Sequence, residues 1–133
     1  MRATFIVFMK KWFPAFLVMG LIFLFSSTPS SGLPDFGFWD WVIKKGAHFS
    51  IYGLLSLSYL RGFQKYETRS TRWVADLVCA LIYAITDEFH QSFTPGRNPS
   101  LGDVGIDLLG ALAAVLAWRY SSLVKQIVKY GVN

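Results

Sequence analysis

The sequence predicts an all-α, integral membrane bundle of four transmembrane helices with both termini on the cytoplasmic side. Three observations carry this. The 133-residue chain is 53% hydrophobic and only 16% charged, where a soluble domain averages about 25% charged. Its apolar residues gather in four blocks, each about long enough to cross a hydrocarbon core of ~30 Å. The first block, Trp12 to Phe25, has no polar stripe, and a helix of a water-soluble bundle needs one. The length suits a single domain, 1–133.

Helix one is expected over about 10–28, with Pro14 in its first turn. The Ser/Gly/Pro stretch from Ser26 to Pro34 ends it. Trp39 and Trp41 read as interfacial belt residues ahead of helix two, over about 41–63. A polar, basic loop from Gln64 to Arg72 leads to helix three, about 73–93, which must stop before Pro95. Pro95-Gly96-Arg97-Asn98-Pro99 is a turn signal, and helix four follows over about 101–120. The tail, 121–133, with Lys125 and Lys129, has the pattern of an amphipathic interfacial helix of about two turns. Lys10 and Lys11 before an apolar run, then Ser26, Ser27 and Thr28, also outline a cleaved signal peptide. Pro29 and Pro34 crowd the cleavage region and favour a retained helix.

Orientation follows from loop charge. With the N-terminus inside, the cytoplasmic side receives Arg2, Lys10, Lys11, Arg61, Lys65, Arg69, Arg72, Arg119, Lys125 and Lys129. The outer side receives Lys44, Lys45 and Arg97. Ten against three is a large bias, and cationic loops stay in the cytoplasm. The same bias accounts for the net charge of +5, so no nucleic-acid partner is expected. Cys79, the lone cysteine, rules out an intramolecular disulfide and reads as a small packing residue.

That topology sets an unusual group of polar residues at one level. His48 lies near the outer end of helix two. Asp87, Glu88, His90 and Gln91 occupy the last two turns of helix three. Arg97 is in the outer loop, and Asp103 and Asp107 fall in the first two turns of helix four. A charged side chain at the bilayer centre costs ~2.5–3.5 kcal/mol on insertion scales, so several at one level imply use. Asp87 and Gln91 are four apart and Glu88 and Gln91 three apart, which puts them on one helix face. Asp103, Asp107, Gly110 and Ala114 form a second stripe whose small residues admit a close neighbour. His48, Tyr52, Leu55 and Tyr59 form a third, directing His48 inward and Tyr52 toward any ligand there. Adjacent Asp87 and Glu88 repel each other when both are charged, which suits one to serve as an acid beside the histidine. Arg97 on a turn suits bidentate binding of a phosphate or carboxylate.

Each residue also has a plainer use. His48 can bond a carbonyl at the interface, and His90 can face headgroups. Asp87 and Glu88 can pair with Arg97 to hold helices together. Asp103, three after Ser100, can complete a capping box. Asp107 can be a structural hydrogen-bonding group. Asp76, one turn from Arg72, reads as a dipole and charge partner.

Three ordered blocks resemble the VanZ-like family. The first is Lys45-Gly46-Ala47-His48-Phe49 followed by Tyr52-Gly53-Leu54-Leu55. The second runs from Thr86 through Asp87-Glu88-Phe89-His90-Gln91 to Phe93, then Pro95-Gly96-Arg97 and Ser100 to Asp103. The third is Asp107-Leu108-Leu109-Gly110. A weaker match is the Phe-Ser-Ser after helix one, and the whole spans about Phe23 to Leu116. Asp107 departs from the asparagine expected in many members. The resemblance implies a bacterial cytoplasmic-membrane protein, related to those that raise resistance to teicoplanin, with a distant likeness to enzymes that exchange or cleave lipid headgroups.

Together these readings give an enzyme acting on a phospholipid or a polyprenyl-linked cell-envelope intermediate at the outer face. His48, Asp87 and Glu88 are the candidate catalytic residues. Arg97, Gln91, Tyr52, Asp103 and Asp107 are the candidate binding residues. No spacing matches a strong metal motif, although Asp103 and Asp107 offer oxygen ligands to a divalent cation. The alternative is a non-catalytic protein that binds a lipid intermediate or sequesters a lipoglycopeptide. A channel is disfavoured, because the inner halves of helices three and four, Leu77 to Ala84 and Leu112 to Trp118, are apolar.

Overall fold

The computed structural model describes residues 2–29, 37–64, 68–121 and 123–126. It contains four long helices: α1 (Arg2–Ser26), α2 (Phe38–Phe63), α3 (Arg69–Gln91) and α4 (Leu101–Tyr120). Among the described residues there is no strand. The expected helix four is reproduced, while the other three begin several residues earlier than the apolar pattern suggested. Of the expected interfacial tail, residues 123–126 form one helical turn, and 127–133 lie outside the described residues.

The early start of α1 makes Pro14 an interior residue rather than a first-turn one. Proline has no N–H, so the carbonyl four residues back loses its helical donor. That carbonyl belongs to Lys10, and the Arg61 guanidinium of α2 donates to it at 3.3 Å. A cation on a neighbouring helix thus replaces the missing bond.

α2 and α3 each pack against all three other helices, while α1 and α4 stand apart on opposite sides. The core joins Ala15, Val18 and Ile22 of α1 to Tyr52, Leu55 and Tyr59 of α2, Ala80 and Ala84 of α3, and Val104 and Ala111 of α4. The most extensive pairing is α2 with α4. Its closest point is Gly110, where an added Cβ would overlap the Phe49 backbone carbonyl. Gly53, one turn further along α2, faces the Gly110 carbonyl in the same way. The small-residue stripe on α4 is therefore a backbone-to-backbone contact, as its spacing predicts.

At the end bearing Arg72 and Arg119, Trp73 and Trp118 meet edge to face, with Arg72 over Trp118 and Arg119 over Trp73. Asp76 is not placed as expected. It is fully buried, and the Ser56 hydroxyl donates to its Oδ2 at 2.6 Å. The outward faces are apolar: Phe13, Phe16, Leu17 and Leu24 on α1, and Val74, Val78, Ile82, Ile85 and Phe89 on α3, are all exposed. Two helical stretches, Phe5–Ser26 and Leu101–Tyr120, are long and apolar enough to cross a membrane. α2 and α3 fall short of that because they carry most of the polar residues described next.

Candidate functional site

The C-terminal ends of α1 and α3 and the N-terminal ends of α2 and α4 meet at one end of the bundle. The turn from Thr94 to Arg97 closes it, with the Arg97 amide donating to the Thr94 carbonyl at 3.1 Å and Gly96 at φ 76°. Pro95 followed by a positive-φ glycine is the chemistry of a type II turn. It returns the Arg97 side chain to α1, where Nη2 donates to the Phe25 carbonyl at 2.8 Å and Nε to the Thr28 carbonyl at 3.3 Å. Phe25 lies in the last turn of α1, which has no basic residue of its own, and Thr28 lies two residues past its end. Arg97 therefore ties down a helix C-terminus and does not pair with Asp87 or Glu88.

α2 and α4 run in the same direction and meet rung by rung. Lys45 forms an ion pair with Asp103. One turn deeper, His48 Nδ1 lies 3.0 Å from Asp107 Oδ1. Asp107 is fully buried and His48 half-buried. An ionised carboxylate only accepts, so Nδ1 carries the proton and Nε2 keeps its lone pair. Asp103 does not complete a capping box. The Ser100 hydroxyl accepts from the Gly102 amide at 3.0 Å, and the Ser100 amide donates to Glu88 Oε2 of α3 at 2.7 Å. Glu88 thus takes the place that Asp103 would have filled.

Adjacent Asp87 and Glu88 turn to different neighbours, because successive helical residues point about 100° apart. Asp87 Oδ2 accepts from Gln91 Nε2 at 3.0 Å, and the same nitrogen reaches Ser26 Oγ of α1 at 3.3 Å. Glu88 faces α4 instead. One ligand atom from each of His48, Glu88 and Asp107 lies within 4.8 Å of the other two. The acid beside Glu88 is thus Asp107, and the expected opposition of Asp87 and Glu88 gives way to this triangle. His90 stacks on Phe23 of α1 and bonds Ser27 Oγ at 2.9 Å.

Two cavities meet at His48. One, of about 440 Å³, is walled mainly by apolar side chains of α1 and α2, among them Ile22, Phe25, Ile51 and Leu54, with Tyr52 and Asp87 also present. The other, of about 240 Å³, is polar and includes Asp40, Lys45, Gln91, Asn98 and Asp103. His48, Lys44 and Arg97 line both. Tyr52 is fully buried and its hydroxyl has no hydrogen-bond partner.

The structure thus joins His48, Glu88 and Asp107, sets Asp87, Gln91, Tyr52 and Arg97 around them, and engages Asp103 with Lys45. Two site residues escaped the sequence reading. Lys44 counted there only toward topology, although it stands one turn before His48 on the same face of α2. Ser26 was visible only as part of the Phe-Ser-Ser stretch. No curated protein and no solved structure matches the chain. The family model described as VanZ/LLP1 matches residues 8–125. That stretch holds every helix that contributes to the site, and with it the chain belongs to the VanZ-like family.

Proposed function

We propose that this chain is a four-span membrane enzyme acting on the phosphate-bearing headgroup of a lipid at the outer face of the bacterial cytoplasmic membrane. The observation that carries the reading is the junction of an apolar and a polar cavity at His48, with Lys44 and Arg97 lining both. An amphipathic molecule fits that division. Its chain lies against Ile22, Phe25 and Leu54, and its phosphate meets Arg97 and Lys44, the latter giving up its ion pair with Asp40 four residues earlier. Exposed apolar faces on the helices and the ten-to-three charge bias support the membrane placement and orientation.

His48 is the proton acceptor. Asp107 fixes the imidazole through Nδ1 and stabilises the imidazolium once Nε2 takes a proton from the attacking water or alcohol. That proton then passes to the departing oxygen. Glu88, held at Oε2 by the Ser100 amide, adds an acid within 4.8 Å of His48, from the side of a separate cavity beside Ser92 and Leu101. Asp87, Gln91 and Tyr52 line the walls. The substrate class is a phospholipid or a polyprenyl-linked envelope intermediate, and any effect on lipoglycopeptide resistance follows from altering such a lipid.

Mass spectrometry of envelope lipids tests this in cells with the protein, without it, and with His48→Ala. A headgroup change that depends on the protein and vanishes with His48→Ala is expected, since a general base contributes about 10²–10⁴-fold. An unchanged profile while the protein still confers a phenotype would replace the enzyme with a binding protein. Glu88→Gln separates the same two readings, because a binder tolerates it and an acid catalyst does not.

A further inference from the structure

We infer that His48, Glu88 and Asp107 form a binding site for one first-row divalent cation, of the Mn²⁺ or Zn²⁺ kind. The three side chains come from three helices, and one ligand atom of each lies within 4.8 Å of the others. Some point therefore lies within roughly 2.8 Å of all three atoms, about 0.6–0.8 Å beyond the usual ~2.0–2.2 Å for nitrogen and oxygen ligands. Rotamer adjustment covers that difference.

A second observation points to the same occupant. Asp107 Oδ2 and Glu88 Oε1 are buried and have no hydrogen-bond partner. Buried polar oxygens are almost always satisfied, and an exception in a folded protein calls for a ligand, a water or an ion. Here the two carboxylates bring two negative charges, and the nearby Lys45 is already engaged with Asp103. A divalent ion neutralises that pair, with His48 as a neutral nitrogen donor.

The donor set selects the class of ion. Ca²⁺ takes six to eight oxygens, whereas one imidazole with two carboxylates suits first-row ions. Asp103, which the sequence also offered as a ligand, is occupied by Lys45 and falls outside the triangle. His48 lines both cavities, so positions on the ion remain open toward a phosphate oxygen. In this respect the inference rests on the lipid-phosphate reading and revises its chemistry. With the ion held, His48 has no lone pair left to take a proton and Glu88 is a charged ligand. The ion instead meets the phosphate charge and lowers the pKa of an attacking water, which loses its proton to solvent.

The test uses the full chain in lipid nanodiscs, stripped with chelator and titrated with MnCl₂ while electron paramagnetic resonance counts free Mn²⁺. One saturable site per chain is expected. Glu88→Gln and Asp107→Asn should each weaken it by at least about 100-fold, the upper range for losing a residue that merely supports a ligand. Asp103→Asn should bind as the wild type does. Zn²⁺ should displace Mn²⁺ at lower concentration than Ca²⁺. Glu88→Gln can still accept the Ser100 amide, so it guards against misfolding of the more buried Asp107→Asn. Absence of a saturable site in the wild type, wild-type affinity in Glu88→Gln, or better displacement by Ca²⁺ overturns the inference. Lipid turnover that persists in chelator with no Mn²⁺ site sinks the cation and spares the enzyme. A Mn²⁺ site without lipid turnover does the reverse.

Discussion

Gly110→Ala places a methyl group far from any reacting atom, yet it should disable the site. The new Cβ would sit 2.9 Å from the Phe49 carbonyl carbon and 3.1 Å from its Cα, with the carbonyl oxygen closer still. Carbon contacts settle near ~3.5–4.0 Å, so α2 and α4 must separate by roughly 1 Å. No flexible side chain can absorb the change, because the clash is with backbone. Overpacking of this kind costs about 1–3 kcal/mol. The functional effect is larger. Phe49 follows His48 directly, and Gly110 is less than one turn from Asp107, so the separation lengthens the 3.0 Å His48–Asp107 bond. A misplacement of about 1 Å can cost 10²-fold in rate. Headgroup turnover in nanodiscs, read beside thermal unfolding, measures both effects. Gly53→Ala supplies the gradation, since its Cβ would meet the Gly110 carbonyl oxygen at 3.3 Å, and it should lose much less. Wild-type turnover in Gly110→Ala, or a greater loss in Gly53→Ala, would mean that the approach of α2 to α4 does not position His48.

Three further predictions follow from other parts of the bundle. Pro14→Ala restores the amide that Lys10 lacks and should raise thermal stability, by up to about 3 kcal/mol. Arg61→Ala should then cost less than it does beside Pro14, which a double-mutant cycle reads directly. Ser56→Ala removes the 2.6 Å donor to buried Asp76 and should cost about 1–3 kcal/mol, seen as a lower unfolding temperature with no change in the Mn²⁺ site. For topology, single cysteines introduced with Cys79→Ser should differ in intact cells. Leu101→Cys should react with a membrane-impermeant maleimide, and Leu123→Cys should react only after permeabilisation; the opposite pattern would invert the orientation.

The apolar blocks announced four helices because spacing and length are properties of the chain itself. Their starts were less legible. The rule that proline favours a first turn pointed α1 to Lys10, whereas the apolar residues Phe5 to Met9 and a rescuing Arg61 extend it to Arg2. Residues four apart on one helix were read correctly, as Asp87 with Gln91 shows. Cross-helix choices were not available to that logic. Whether Ser100 is capped by Asp103 or by Glu88 depends on how far α3 stands from α4, which no local pattern encodes. The pairing of His48 with Asp107 likewise rests on the close approach at Gly110, and only the small-residue stripe hinted at it. Asp76 had an adequate local explanation in Arg72, and the tertiary donor Ser56 replaced it.

Whether the His48–Asp107–Glu88 triangle acts on a phosphate-bearing lipid is decided by headgroup turnover by the purified full chain in nanodiscs, with phospholipid and polyprenyl phosphate substrates presented separately. One of the two should be converted by the wild type and reduced about 10²–10⁴-fold by His48→Ala, in a protein that still unfolds cooperatively. Conversion that continues unchanged in His48→Ala would contradict the account.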